Sequence, residues 1–132
     1  CIRDRFYPDL TIYTKQHELL RELSLKSDCV IVGRCADYIL REQKPVRIFA
    51  YADMESRIKR CMERRPEDEN LTEAQMKKRI TEIDRNRAKY YAFFSGQKWG
   101  ARENYDLLVN TSGADIKEMS SALCGYLEAL FE

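Results

Sequence analysis

The 132-residue sequence is sparing with the residues that break or staple a chain, having five glycines, three prolines and a single histidine. So few breakers exclude a collagen-like or low-complexity chain. Apolar residues at 44% and charged residues at 34% are instead the profile of a globular domain. The five cysteines, at positions 1, 29, 35, 61 and 124, form no C-x-x-C pair, and His17 stands alone, so no cluster has the spacing of a zinc site. The cysteines read as small buried apolar residues, since free cysteine is so often buried. Disulfides are not expected in what reads as an intracellular domain. His17 falls within a predicted helix and reads as a surface or core-edge residue. No apolar run approaches the roughly 18 residues of a membrane span, and no signal-peptide core opens the chain. A cytoplasmic protein without membrane contact is therefore expected. With a formal net charge of only +1, the molecule as a whole does not attract nucleic acid.

The length suits one domain. No methionine opens it. The first five residues, CIRDR, read as a translation of TGT-ATA-AGA-GAC-AG, the end of a common transposase adapter. Cys1 to Arg5 are set apart on that ground as an expected artefact. Residues 6–132 are read as the C-terminal part of a single domain whose gene continues upstream.

What is present alternates between strand-like and helix-like patterns. Ile12, Leu19, Leu20 and Leu23 predict an amphipathic helix over about 11–25. Cys29 to Val32 is a short β-branched apolar run, predicting a strand buried on both faces. A helix is expected to begin at Ala36, and Val46 to Ala52 predicts a second buried strand. Asp53 can cap the next helix, which should end before Pro66. Thr72 and Gln75 fit the capping box of a long helix that stops at Gly96. Tyr105 to Asn110 predicts a third strand. Ile116, Met119, Leu123, Tyr126, Leu127 and Leu130 then line one face of a last helix, capped by Ser112 or Asp115. Strands alternating with helices imply right-handed crossovers and a parallel sheet. The fold class is therefore α/β, a three-layer parallel sheet flanked by helices, with at least one strand expected beyond the three.

In an open parallel sheet, ligands bind beyond the carboxyl ends of the strands. Gly33, Arg34 and Asp37 follow one such end. Glycine admits close backbone approach, arginine grips phosphate with two parallel hydrogen bonds, and aspartate accepts from a sugar hydroxyl or a base amino group. The plainer reading is a glycine turn with Arg34 paired to Asp37. A second basic cluster, Arg57, Lys59, Arg60, Arg64 and Arg65, precedes an acidic loop, and Arg79, Arg85 and Arg87 follow on the long helix. Each arginine alone could belong to a solvated helix face with local ion pairs. Two arginine-bearing helices flanking one loop match what a phosphate-covering lid over about 57–87 requires, since phosphoryl transfer needs charge neutralisation and exclusion of water.

VIVGRCADYIL, VRIFAYADMESRIKRCMER, IDRNRAKYY and KWG-x4-YDLLVNTS, in this order, resemble the cytidylate kinase-like family of nucleoside monophosphate kinases across Asp9 to Phe131. The resemblance implies a P-loop fold and transfer of the γ-phosphoryl group of ATP to CMP or dCMP with Mg²⁺. It implies an acceptor-binding role for Arg34 and Asp37, ribose holding by Asp84 and phosphate holding by Arg87. Arg57 and Arg60 match the basic helix leading into the lid, Arg64 and Arg65 are lid residues by position alone, and Arg60, Arg64 and Arg87 are expected to be catalytic. No metal ligand, nucleic-acid partner or obligate protein partner is expected. Family members place aspartate directly after the Gly-Arg pair, where this chain has Cys35, and Asp37 follows two residues on. No G-x-x-x-x-G-K-[ST] occurs, and the glycines lie apart at 33, 96, 100, 113 and 125. In the family that loop follows a strand that would precede Phe6. The intact parent is expected to be the kinase and this chain by itself inactive. The alternative is a non-catalytic nucleotide-binding or regulatory domain. Within enzymes, UMP, dCMP or a small hydroxylated metabolite are rival acceptors. Tyr90, Tyr91, Phe93 and Phe94 read as core packing rather than base stacking, and Trp99 as a helix-end plug or a neighbour of the nucleotide.

Overall fold

Short polar side chains set where the helices begin. The Asp53 carboxylate accepts the amide of Ser56 at 2.7 Å, opening the helix Met54–Arg64. Thr72 and Gln75 bond reciprocally, amide to side chain, at 2.9 and 3.2 Å, just ahead of the helix Glu73–Ser95. Asp115 accepts the amides of Lys117 and Glu118 and so caps the final helix, Ile116–Phe131. Ser112, the other cap candidate, instead accepts the amide of Asp53 at 2.7 Å.

These contacts belong to a computed structural model that describes residues 10–131. The reading of Cys1 to Arg5 lies outside the described residues. In chain order the elements are α1 (Leu10–Lys26), α2 (Ala36–Ile39), β1 (Ile48–Tyr51), α3 (Met54–Arg64), α4 (Glu73–Ser95), β2 (Leu107–Asn110) and α5 (Ile116–Phe131), with 3-10 turns at Arg41–Gln43 and Arg102–Asn104. β1 and β2 form a two-stranded parallel sheet. The carbonyl of Arg47 accepts the amides of Asp106 and Leu107, and that of Tyr51 accepts the amide of Thr111.

Several expectations are corrected. Cys29–Val32 is not a strand, and Val30 and Val32 stand 93% and 88% exposed. A strand needs a neighbour to take its amides and carbonyls, and the sheet among the described residues holds β1 and β2 only. β1 itself is not a buried strand, because Ile48 and Tyr51 are exposed. In α1 the sequence periodicity predicts an apolar stripe of Ile12, Leu19, Leu20 and Leu23. The inward stripe instead runs through Tyr13, His17 and Leu20, with Ile12, Leu19 and Leu23 exposed. His17 is indeed at the core edge, half-buried with its ring 6.1 Å from that of Tyr13. Of the described cysteines, only Cys35 is buried, Cys61 is half-buried, and Cys29 and Cys124 are exposed.

The chain divides into two compact units. One takes the chain up to Ile48 together with Ile80–Leu107, and the other takes Phe49–Arg79 with Leu108–Glu132. The span 57–87, read as a lid, thus crosses from one unit into the other. In the first unit the core is Cys35, Ile39, Leu40 and Tyr91, against which Tyr13, Leu20, Phe94 and Trp99 pack. Tyr13 stacks on Phe94 at 3.9 Å and Tyr90 tilts against Phe94 at 4.7 Å. Tyr90, Tyr91 and Phe94 of the aromatic run after Arg87 therefore pack in or against the core, as does Trp99, whereas Phe93 is exposed.

In the second unit, Arg60 donates to the carbonyl of Thr111 and, at 3.0 Å, to its hydroxyl. Arg65 donates to the carbonyl of Leu71 at 2.6 Å, and Arg79 pairs with Glu69 at 2.6 Å. The last pair is largely exposed and contributes little stability. The Arg60 contact is half-buried and charge-assisted, worth about 1.5–3 kcal/mol on truncation. Arg60→Ala is expected to lower the thermal midpoint by several degrees, read by circular dichroism. A midpoint left in place would show that Arg60 does not brace this unit.

Candidate functional site

The candidate site lies wholly within the first unit. Gly33, Arg34 and Cys35 take three consecutive left-handed conformations, with φ of 71°, 59° and 58°. Glycine adopts this region freely, whereas Arg34 and Cys35 each cost about 1–2 kcal/mol there. Such strain persists only where surrounding contacts hold it, and it gathers at functional sites. What holds it here is Cys35. The side chain is 4% exposed, and its thiol points at the carbonyl of Tyr91, 4.0 Å away. Turning inward at Cys35 leaves Arg34 exposed and starts α2, whose first turn carries Asp37.

Asp37 reaches α4. The Tyr91 hydroxyl donates to Asp37 Oδ2 at 2.7 Å, and Gln97 Oε1 lies 2.9 Å from the same hydroxyl. Tyr105 shares a hydrogen bond with Tyr91 and accepts the amide of Gly100 at 3.3 Å. Burial, then the hydrogen bond and negative charge of Asp37, push the Tyr91 phenol well above its ordinary range. Burial is also the leading cause that raises the Tyr105 phenol. The guanidinium of Arg34 acts electrostatically on the Tyr90 hydroxyl, opposing the upward push that burial gives it.

On α4, Asp84, Arg87 and Tyr91 fall at i, i+3 and i+7, one stripe of the helix. Asp84 is half-buried and Arg87 exposed. The structure thus ties Asp37 to the stripe that carries Asp84 and Arg87, and the charge of Arg34 reaches Tyr90, one helical turn past Arg87. Arg57, Arg60, Arg64 and Arg65 belong to the second unit. Arg60 and Arg65 hold backbone carbonyls there, Arg57 is half-buried and Arg64 exposed. Sequence reasoning missed Tyr91, Gln97 and Tyr105. The signal available for Tyr91 was its position seven residues after Asp84, on the same stripe.

Among the described residues no group of three His, Cys, Asp or Glu side chains could hold a metal ion. The donors among the described residues do not by themselves fit magnesium. Among the described residues, no helix is long and apolar enough to cross a membrane.

The Cys35 thiol is pushed up to about 12, first by burial and then by the charge of Asp37. At pH 8 iodoacetamide is expected to label Cys29 and Cys124 and to spare Cys35 until the chain unfolds. A thiol whose folded value lies above its ordinary 9.0 favours the fold fully below about pH 9. That contribution is lost as pH rises from about 9 towards 12. The melting midpoint should fall across this window, and Tyr91 adds to the fall with the same sign. Rapid labelling of Cys35 in the folded chain would contradict its burial.

A left-handed turn that presents an arginine, followed by a carboxylate tied to an Asp-x-x-Arg helix, suits the binding of a phosphorylated, hydroxylated molecule. The sequence profile of the cytidylate kinase-like family matches residues 4–113. The chain belongs to that family, whose members are kinase-type phosphoryl-transfer enzymes. A solved structure of an uncharacterized protein from Eubacterium ventriosum is 28% identical to this chain. The match covers 94% of this chain and 69% of that one, with a TM-score of 0.81. No curated protein matches the chain.

Proposed function

We propose that the first unit is the acceptor side of a nucleoside monophosphate kinase of P-loop type, which in the intact protein moves the γ-phosphoryl group of ATP to CMP or dCMP. The observation that carries this reading is the strained Gly33–Cys35 turn. It costs stability, yet it displays Arg34 and delivers Asp37 to the α4 stripe that bears Asp84 and Arg87. Arg34 and Arg87 neutralise the acceptor phosphate, Asp84 accepts from ribose hydroxyls, and Asp37 accepts from the base. Arg64, with Arg57, Arg60 and Arg65, lies on the segment that would cover the transferring group. ATP and magnesium enter as partners of the intact protein's reaction.

Calorimetric titration of the chain with CMP, dCMP, UMP and AMP tests the acceptor reading, and radiolabelled ATP tests transfer. Binding of CMP without transfer of label is the expected result for this chain, because its sequence has no glycine-rich phosphate loop. Absence of binding by every monophosphate would overturn the acceptor site. Its arginines cluster around one segment of a nearly neutral chain, which disfavours nucleic acid. A steep salt dependence of RNA or DNA binding would support that rival instead.

A further inference from the structure

We propose that Tyr91 is the positioning residue for Asp37, fixing the carboxylate so that its second oxygen accepts the amino group of the acceptor's base. The proposal rests on the acceptor reading above and adds to it the residue that positions Asp37.

The hydroxyl of Tyr91 has one proton to give. Its ring is 5% exposed, so that proton must find an acceptor. Three oxygens surround it, Asp37 Oδ2 at 2.7 Å, Gln97 Oε1 at 2.9 Å and the hydroxyl of Tyr105. The neutral amide alone would satisfy the tyrosine. The ionised carboxylate is the stronger acceptor and takes the proton, although Asp37 is itself only half-buried. The tyrosine does not need this aspartate; the bond instead immobilises the aspartate. Asp37 sits in a four-residue helix that begins after two strained non-glycine residues. Its carboxylate would otherwise rotate about two side-chain bonds. With Oδ2 occupied, Oδ1 is the oxygen left for a ligand. An ionised carboxylate can only accept hydrogen bonds, so it favours a base edge carrying an amino group over one carrying a carbonyl. Cytosine and uracil differ in that respect at one position, with an amino donor against a carbonyl acceptor. Gln97 and Tyr105, grouped around the same hydroxyl, keep it from turning away.

The test is Tyr91→Phe, which keeps the ring in the core and removes only the hydroxyl, with CMP and UMP as probes and thermal melting as the control. CMP affinity is expected to fall about tenfold and UMP affinity to change less than about twofold, so the preference collapses. A bond that merely joined α2 to α4 would weaken both ligands alike, and an unchanged CMP-to-UMP ratio would overturn the proposal. Should the variant melt early, the wild-type chain provides a second readout. The Tyr91 hydroxyl proton, followed by NMR, is expected to shift on adding CMP and to stay in place on adding UMP. Equal response to both overturns the proposal. Failure of the wild-type chain to bind either nucleotide overturns the acceptor reading and this proposal together. Binding with no preference overturns this proposal alone.

Discussion

Arg87→Ala is expected to weaken CMP binding by about ten- to a hundredfold while leaving the affinity for cytidine unchanged. Arg87 is exposed in the interior of α4, where alanine is at least as good a helix former as arginine. The fold should therefore not register the change, and the thermal midpoint should stay within a degree or two. The loss comes from charge-assisted hydrogen bonds to the phosphate, each worth about 1.5–3 kcal/mol. Cytidine has no phosphate, so it separates loss of that grip from any general damage to the site. Equal affinity of the variant and the parent for CMP would remove Arg87 from the site.

Cys35→Asp is expected to damage folding rather than binding, although it restores the Gly-Arg-Asp order typical of the family. The side chain of residue 35 points into the core of Ile39, Leu40 and Tyr91. A carboxylate there would be desolvated and would lie near the charge of Asp37. Stranding such a charge costs about 3–5 kcal/mol, or roughly 10–20 °C in midpoint for a chain of this size. Cys35→Ala, which leaves a small void without a charge, should cost about 1 kcal/mol. Comparable melting of the two variants would show that position 35 is not enclosed as described. The aspartate of this chain stands two residues later because the backbone, after its left-handed passage, turns position 35 inward and reaches α4 from position 37.

Local chemistry was legible in the sequence. The Asp53 cap, the Thr72–Gln75 box and the stop at Gly96 each depend on residues within one or two turns, and each occurs where the pattern places it. The Gly33–Arg34 turn was legible too, since an apolar run that ends on glycine must change direction. Features whose partners lie far along the chain were not. Cys29–Val32 has the composition of a strand, but a strand depends on a neighbour that no pattern within the run can supply. Tyr91 looked like one ring among four because its hydroxyl's partner is 54 residues away. Arg60 and Arg65 looked like open lid cations because the carbonyls they hold, on Thr111 and Leu71, are backbone groups that every residue possesses. The inward stripe of α1 went to Tyr13 and His17 because Phe94 offers a ring for Tyr13 to stack upon.

The left-handed passage through Arg34 and Cys35 also bears on how this sequence can drift. Arg34→Gly or Arg34→Asn would release about 1 kcal/mol of backbone strain, and a laboratory selection for heat resistance alone would favour both. Each would also remove the guanidinium that the proposed acceptor site relies on. At this position selection for robustness and selection for activity pull in opposite directions, so populations evolved under the two regimes should diverge first at residue 34.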